Sequence, residues 1–141
     1  MITSSPSRKI VAAIACRNNG SRLYGKPLQN LDVINQITIL DNIIACLKSV
    51  KMIDEIVLAI SEGNDNLIFK DVASKHHLKF IVGDQRDVLY RLILAGDLVG
   101  GTDIFRVTSE SPFVYYQWID AYCKEHIEGD YDATFLDGII D

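Results

Sequence analysis

Short apolar runs alternate along the chain with longer segments in which apolar residues recur every three or four positions. The first run, 10–15, is apolar throughout, as is typical of a strand that is buried on both faces. In the segment of about 36–50, Ile37, Leu40, Ile44 and Leu47 form one stripe, which predicts an amphipathic helix. The full pattern predicts strands at 10–15, 56–60, 80–82, 104–107 and 133–136, and helices at about 36–50, 67–73, 88–95 and 114–127.

This alternation of strands and helices predicts an α/β fold, with a mainly parallel sheet covered by helices on both faces. No repeat, linker or low-complexity tract interrupts the pattern, so we expect one three-layer, Rossmann-like domain over residues 1–141. In such sheets, ligands bind beyond the carboxyl ends of the strands, where the strand order reverses. We therefore expect three segments to gather at one edge of the sheet: 16–27, 83–87 and 108–113.

The composition is that of a globular protein in water, with 48% apolar and 23% charged residues. No apolar run approaches the roughly 18 residues that a membrane span needs. The three cysteines, Cys16, Cys46 and Cys123, are too few and too widely spaced for a disulfide framework or a zinc site. We therefore expect a protein of the reducing cytoplasm that does not bind membranes.

Charge is distributed unevenly along the chain. All 19 acidic residues lie at or after Asp32, whereas the first 31 residues contain five basic side chains and no acid. The net charge of −5 makes nucleic acid a poor candidate for the partner. A basic segment in an otherwise acidic chain indicates a small, highly charged anion as ligand, and the alternative is a chance cluster on a solvated loop.

The segment NNGSRLYGKP within that basic part has the G-x-x-x-x-G-K spacing of a Walker A phosphate loop, from Gly20 to Lys26. A Walker A loop continues with Ser or Thr, whose hydroxyl binds Mg²⁺, and then at once with a helix. Here the next residue is Pro27, and the helical pattern begins only near residue 35. The Walker spacing is therefore coincidental.

The same segment still contains the groups that bind phosphate. Arg17, Arg22 and Lys26 can donate charged hydrogen bonds, and the backbone around Gly20 and Ser21 can form a nest of N–H groups. Together they could bind a triphosphate and stabilise a pyrophosphate leaving group.

A carboxylate, Glu110, follows the strand at 104–107. It could hold Mg²⁺ against those phosphates. Alternatively, it is an acidic residue in the first turn of the next helix, where the helix dipole stabilises it. The residue pattern leaves both interpretations open.

Four stretches, ACRNNGSRLYGKPL, KSVKMIDEIVLAIS, GDQRDVLYRL and DIFRVTSESPFV, resemble the sugar-activating nucleotidyltransferases. The resemblance covers about residues 9–137 and is greatest to the SpsF-type, acylneuraminate and KDO cytidylyltransferases. The family's R-x-x-S/G-x-R-L-x-G-K-x-L loop is matched in register. The resemblance implies a nucleotide-diphospho-sugar transferase-like fold that transfers a nucleoside monophosphate, usually from CTP, to a sugar acid or sugar phosphate with the help of Mg²⁺.

Residue roles follow from that resemblance by position. Arg17, Arg22 and Lys26 are the expected catalytic contacts to the triphosphate, and Glu110 is the expected metal ligand. Nucleotide contacts are expected at Ala15, Arg17, Gly20, Ser21, Arg22, Gly25, Lys26, Gln85, Asp87 and Ser109.

The chain also departs from the family pattern. Ser109 and Glu110 stand where the family commonly has Gly and Asp. Family members extend well past this length, with a dimerisation arm, sugar-binding residues and a later metal-binding Asp. We therefore expect a homodimeric cytidylyltransferase-like portion that is incomplete at its carboxyl end. The alternatives are a non-catalytic nucleotide-binding or assembly module, or the same chemistry with another nucleotide such as GTP.

Overall fold

A computed structural model describes residues 7–19, 23–112 and 116–135 of the chain. Four parallel strands form the main sheet: β1 (Ile10–Cys16), β4 (Glu55–Ser61), β5 (Lys79–Gly83) and β6 (Asp103–Thr108). Two short strands, β2 (Asn30–Asp32) and β3 (Ile37–Thr38), pair as an antiparallel ribbon. The helices are α1 (Ile39–Lys48), α2 (Ile68–Lys75), α3 (Val88–Leu98) and α4 (Ile119–Glu128).

The strand order of the main sheet is β5-β4-β1-β6. The chain first builds outward from β1 to β4 and β5, and then returns to place β6 on the other side of β1. The order therefore reverses between β1 and β6, which is the position where open α/β sheets bind ligands.

Different helices cover the two faces of the sheet. One face carries α1, α2 and α4, whose apolar side chains pack on Ala12, Ile14 and Leu58. The other face carries α3, which packs on Val11 and Ala13 through Leu92. Helices on both faces of a mainly parallel sheet confirm the predicted three-layer α/β fold.

Helix α1 begins three residues later than predicted because its start is fixed by a capping box. The Thr38 hydroxyl accepts a hydrogen bond from the Asp41 backbone, and the Asp41 carboxylate accepts one from the Thr38 backbone. Such reciprocal bonds satisfy backbone donors that have no partner within the helix. The preceding residues instead form the β2–β3 ribbon, which the sequence pattern missed.

The predicted fifth strand is wrong over Ala133–Phe135, which lie outside any strand; Leu136 lies outside the described residues. Helix α4 ends near Gly129, and Asp130 has a positive φ of 49° that turns the chain. The Thr134 hydroxyl then bonds to the His126 ring of α4 at 2.7 Å. The segment is therefore held against α4 and does not pair with β6.

Candidate functional site

Three loops meet at the carboxyl edge of the main sheet, as the sequence predicts. They follow β1, β5 and β6, and all four strands are parallel. Neighbouring strands lie about 4.8 Å apart, so the loops after β1 and β6 are adjacent and the loop after β5 is about 10 Å from β1. This spread suits an extended polar ligand better than a single ion.

Arg17 and Lys26 stand at the two ends of the loop that follows β1. Arg17 is exposed directly after the strand, and Lys26 is half-buried in a 3₁₀ turn, Lys26–Leu28. Gly25 precedes that turn with a φ of 67°, a conformation that suits glycine. A 3₁₀ turn and a β-ribbon follow, not the α-helix of a Walker A loop. Gly20, Ser21 and Arg22 lie outside the described residues.

Asn18 fixes this loop to the end of the neighbouring strand β4. Its backbone N–H donates to the Asn66 side-chain oxygen at 2.8 Å, and its side-chain amide donates to the Asp65 carbonyl. The backbone carbonyl of Asn18 accepts a hydrogen bond from the Gly25 N–H at 2.9 Å, and this bond closes the loop. The sequence pattern gives Asn18 no role, because its burial and its bond to Asn66 are visible only in the fold.

The loop after β6 holds Ser109 and Glu110. Ser109 is buried, with 2% of its surface exposed, and Glu110 is half-buried. The Asn42 side chain of α1 donates to the Pro112 carbonyl at 3.1 Å and so fixes the end of this loop. Helix α4 begins only at Ile119, and residues 111–112 are not helical, so Glu110 is not in the first turn of a helix.

The loop after β5 is a tight turn whose carboxylates are already bonded to its own backbone. Asp84 accepts hydrogen bonds from the backbone N–H groups of Asp87 and Arg86, which lower its pKa. Asp87 is the N-cap of α3 and accepts from the Tyr90 backbone at 2.9 Å. Gln85 is exposed. Asp87 therefore has a clear structural role beside the nucleotide contact that the sequence predicts.

A buried arginine lies beneath these loops, and sequence analysis did not identify it as a site residue. Arg91 of α3 has 1% of its surface exposed. Its Nη1 donates to the Asp84 carbonyl at 3.0 Å, and its Nε has no partner among the described residues. Burial lowers the pKa of Arg91 and the nearby charge of Arg17 lowers it further, whereas the Asp84 carboxylate opposes the shift.

Cys16, the last residue of β1, is not poised for nucleophilic catalysis. Burial raises the pKa of its thiol to about 12, despite the opposing effect of Arg91. A thiol with such a pKa stays protonated near neutral pH, whereas nucleophilic cysteines are thiolates. Cys16 is therefore a packing residue. Ala15, beside it, is half-buried and pairs with Ala59 and Thr108.

A cavity of about 370 Å³ lies at the opposite, amino end of the sheet, between β6, α4 and residues 132–134. Two carboxylates line it: Asp132 is exposed, and Asp103 is already bonded to Arg8, Thr102 and His126. Because these bonds satisfy that charge, this end of the sheet serves the fold, and the candidate site is the carboxyl edge.

The described carboxylates suit Mg²⁺ that is shared with a bound ligand. Within residues 7–19, 23–112 and 116–135, no three His, Cys, Asp or Glu side chains cluster as a metal-binding group. Mg²⁺ commonly binds through one or two carboxylates together with substrate phosphates and water. Glu110, at the strand-order reversal, fits the single carboxylate of such a shared site.

Comparison with solved structures shows the same fold in nucleotidyltransferases. A cytidylyltransferase from Leptospira borgpetersenii superposes with a TM-score of 0.79 at 22% identity, covering 86% of this chain and 50% of that chain. The CMP:2-keto-3-deoxy-manno-octonic acid synthetase complexed with CTP superposes with a TM-score of 0.72 at 15% identity, covering 86% of this chain and 48% of that chain. A nucleotidyl transferase from Methanothermobacter superposes with a TM-score of 0.66 at 18% identity, covering 84% of this chain and 58% of that chain.

Among curated proteins, the chain is 25% identical over 132 residues to the uncharacterised protein MJ1063 of Methanocaldococcus jannaschii. That match covers 94% of this chain and 53% of the relative. No family model matches the chain. Within the described part of the chain, no helix is both long and apolar enough to cross a lipid bilayer. The chain spans about half the length of the proteins it matches, and its fold is that of the corresponding part of a cytidylyltransferase.

Proposed function

We propose that this chain binds a nucleoside triphosphate, with CTP as the favoured one, at the carboxyl edge of its sheet. The protein that contains it would transfer the nucleoside monophosphate to a sugar acid or sugar phosphate in the cytoplasm. One observation carries this proposal: the basic loop from Arg17 to Lys26 lies at the strand-order reversal of a fold shared with a synthetase complexed with CTP.

In this proposal, Arg17, Arg22 and Lys26 bind the triphosphate. The N–H groups near Gly20, Ser21 and Gly25 approach its oxygens, since glycine lets the backbone come close to an anion. Ala15 and Ser109 line the floor, and Gln85 and Asp87 border the nucleoside. The separation of about 10 Å between the loops after β1 and β5 leaves room for both parts of the nucleotide.

In this reaction, the protein aligns the reacting groups and neutralises the charge on the leaving pyrophosphate. An oxygen of the acceptor sugar attacks the α-phosphorus in line with the leaving pyrophosphate, the P–O bond to the β-phosphate breaks, and pyrophosphate departs with the electron pair. Arg17, Arg22 and Lys26 stabilise the negative charge that develops on it. Mg²⁺, when bound at Glu110, would supply further charge neutralisation at the phosphate oxygens.

Calorimetry with CTP, CDP and CMP tests the binding proposal. We expect CTP to bind most tightly, and Lys26→Ala to weaken CTP binding by about 1.5–3 kcal/mol, the scale of a charged hydrogen bond. Lys51→Ala, which removes the same charge far from this edge, is the matched control. Equal affinities for the three nucleotides, or none for any of them, would contradict the assignment. Competition by GTP tests the identity of the base.

A second candidate function is a non-catalytic nucleotide-binding module of the same fold. It is favoured because Ser109 and Glu110 stand where the family that the sequence resembles commonly has Gly and Asp, so that the carboxylate is on a longer side chain. A pyrophosphate-release assay with CTP and a panel of sugar acids separates the two candidates. Sugar-dependent release supports the transferase, and nucleotide binding without release supports the module.

A further inference from the structure

Arg91 is buried without a salt bridge among the described residues, which is unusual for a charged side chain; the Asp84 carboxylate acts on it electrostatically but is exposed and bonded to the backbone of its own loop. Its guanidinium makes one hydrogen bond, to the Asp84 carbonyl, and its Nε makes none. A buried charge normally pairs with an opposite charge, because desolvation is costly. An unpaired cation therefore needs an explanation in the function of the site.

On the face of the sheet where Arg91 lies, the strands end with small residues. On the α3 face, the strands end with Ala15 in β1, Ser61 in β4 and Gly83 in β5. A Cβ atom at Gly83 would approach the Arg91 Cγ to 3.2 Å, so the glycine makes room for the arginine stem. This packing holds the guanidinium beneath the carboxyl edge, close enough to Arg17 for the two charges to repel.

We propose that Arg91 is a specificity-determining residue: a preformed buried cation that favours polyphosphate over monophosphate in the site above it. This inference rests on the proposed function. A cation away from solvent acts through a low dielectric and is weakly screened by salt. It therefore attracts a ligand in proportion to its negative charge, and the bound phosphates add to the counter-charge that the exposed Asp84 carboxylate supplies.

The decisive variants are Arg91→Met and Arg91→Lys, measured by calorimetry with CTP, CMP and inorganic tripolyphosphate. Met fills a similar volume without charge, so we expect R91M to weaken CTP and tripolyphosphate binding roughly ten- to a hundredfold. CMP should lose no more than a few-fold, and R91K should retain most of the preference. The loss should persist at high salt. Lys124→Met, which removes an exposed charge on α4, should change none of these affinities.

Thermal unfolding of the ligand-free variants separates this role from a structural one. Removing a buried charge that forms no salt bridge should leave the unfolding midpoint of R91M unchanged or raised. A large drop in that midpoint overturns the proposal, because Arg91 would then be a packing element. Unchanged CTP affinity, or equal losses for CTP and CMP, also overturns it.

The proposed function can fail separately. If the unmodified chain binds tripolyphosphate as tightly as CTP, nucleoside recognition is absent while the role of Arg91 stands. If the chain binds no polyphosphate at all, both proposals are overturned.

Discussion

The side-chain oxygen of Asn66 accepts a 2.8 Å hydrogen bond from the backbone N–H of Asn18, so the 3₁₀ turn Asn64–Asn66 that follows β4 holds the proposed phosphate-binding loop that leaves β1. Both residues are buried, with 4% of each exposed. The same Asn66 amide donates to the Glu62 carbonyl at 3.1 Å, which fixes its orientation.

We expect Asn66→Ala to lower the free energy of unfolding by about 1–3 kcal/mol, because it leaves the buried N–H of Asn18 without a partner. The loop should also lose its position, so CTP affinity should fall. Asn64→Ala is the control, since Asn64 is exposed and lies two residues away. Urea unfolding and calorimetry measure the two effects. Equal behaviour of the two variants would show that the Asn18–Asn66 bond is dispensable.

Gly25→Ala tests whether the backbone at the end of this loop matters for binding. Gly25 and Gly100 both have a φ of 67°, and a Cβ atom added at either glycine would have no neighbouring atom within 4 Å. Both alanine variants should therefore lose about 1 kcal/mol of stability through backbone strain alone. Only Gly25→Ala should also weaken CTP binding, because Gly100 lies at the end of α3. A loss of affinity in both variants would mean that the effect is a general consequence of strain.

Glu110→Gln tests the metal site. If Glu110 holds Mg²⁺ against the phosphates, the variant should lose the Mg²⁺ dependence of CTP binding and keep its unfolding temperature. Glu128→Gln on α4 is the control for the loss of one negative charge. CTP titrations at several Mg²⁺ concentrations provide the measurement, and a Mg²⁺ dependence equal to that of the unmodified chain would remove Glu110 from the site.

Acid should destabilise the fold through two carboxylates, Asp103 and Asp41, that are not residues of the proposed site. Hydrogen bonds from Arg8 hold the pKa of Asp103 well below its usual range. Burial alone would raise the pKa of Asp41, but bonds from His76, Thr38 and Lys75 together lower it to about 2. Depressed pKa values give stability that is present above the unfolded value of about 3.9 and is lost as pH falls through the folded value.

The free energy of unfolding should therefore decline between about pH 4 and pH 2. Asp103→Asn should cost about 2–3 kcal/mol near neutral pH, because it removes a charged, two-point bond to Arg8, and it should flatten the acid decline. Asp97→Asn, on the exposed side of α3, should change neither the stability near neutral pH nor the decline in acid. Urea unfolding across this pH range is the test, and an unchanged slope in Asp103→Asn would refute the linkage.

Self-association is expected through β6, which is an edge strand of the described sheet. An unpaired strand edge is a template for pairing with a second chain. Ile104 on this strand is 39% exposed, and Ile104→Lys should reduce association, whereas Val33→Lys, 74% exposed beside the β2–β3 ribbon, should not. Light scattering after size exclusion measures the mass. A monomer at high concentration would contradict the expectation.

The strands and helices that the sequence predicts correctly are those with long, regular apolar patterns. The apolar run at 10–15 is buried on both faces of the sheet, and the stripe from Leu40 to Leu47 buries one face of α1, so each apolar pattern reports its structure. The β2–β3 ribbon was missed because its strands are only three and two residues long. The strand predicted at 133–136 failed because contacts with α4 decide the path of that segment.

The candidate site also contains both residues that the sequence indicates and residues that it does not. Basic residues and glycines near Lys26 can be proposed from the sequence because phosphate binding needs those residue types in a short stretch, and their role stays a prediction. The roles of Asn18 and Arg91 could not be predicted, because each depends on contacts with residues distant in sequence, Asn66 and Gly83 among them. Nothing in a helical stripe distinguishes an arginine that faces solvent from one that lies under a loop.

The position of β1 at the centre of the sheet has a consequence for how the chain is made. A ribosome synthesises β1 first, yet its two neighbours are β4, which begins at Glu55, and β6, which begins at Asp103. During translation, a fully apolar strand must therefore wait for partners that emerge much later, and long-range pairings of this kind form slowly. Nascent chains that are released or stalled before residue 108 would expose one edge of β1, and they are the species most exposed to aggregation and most dependent on chaperones.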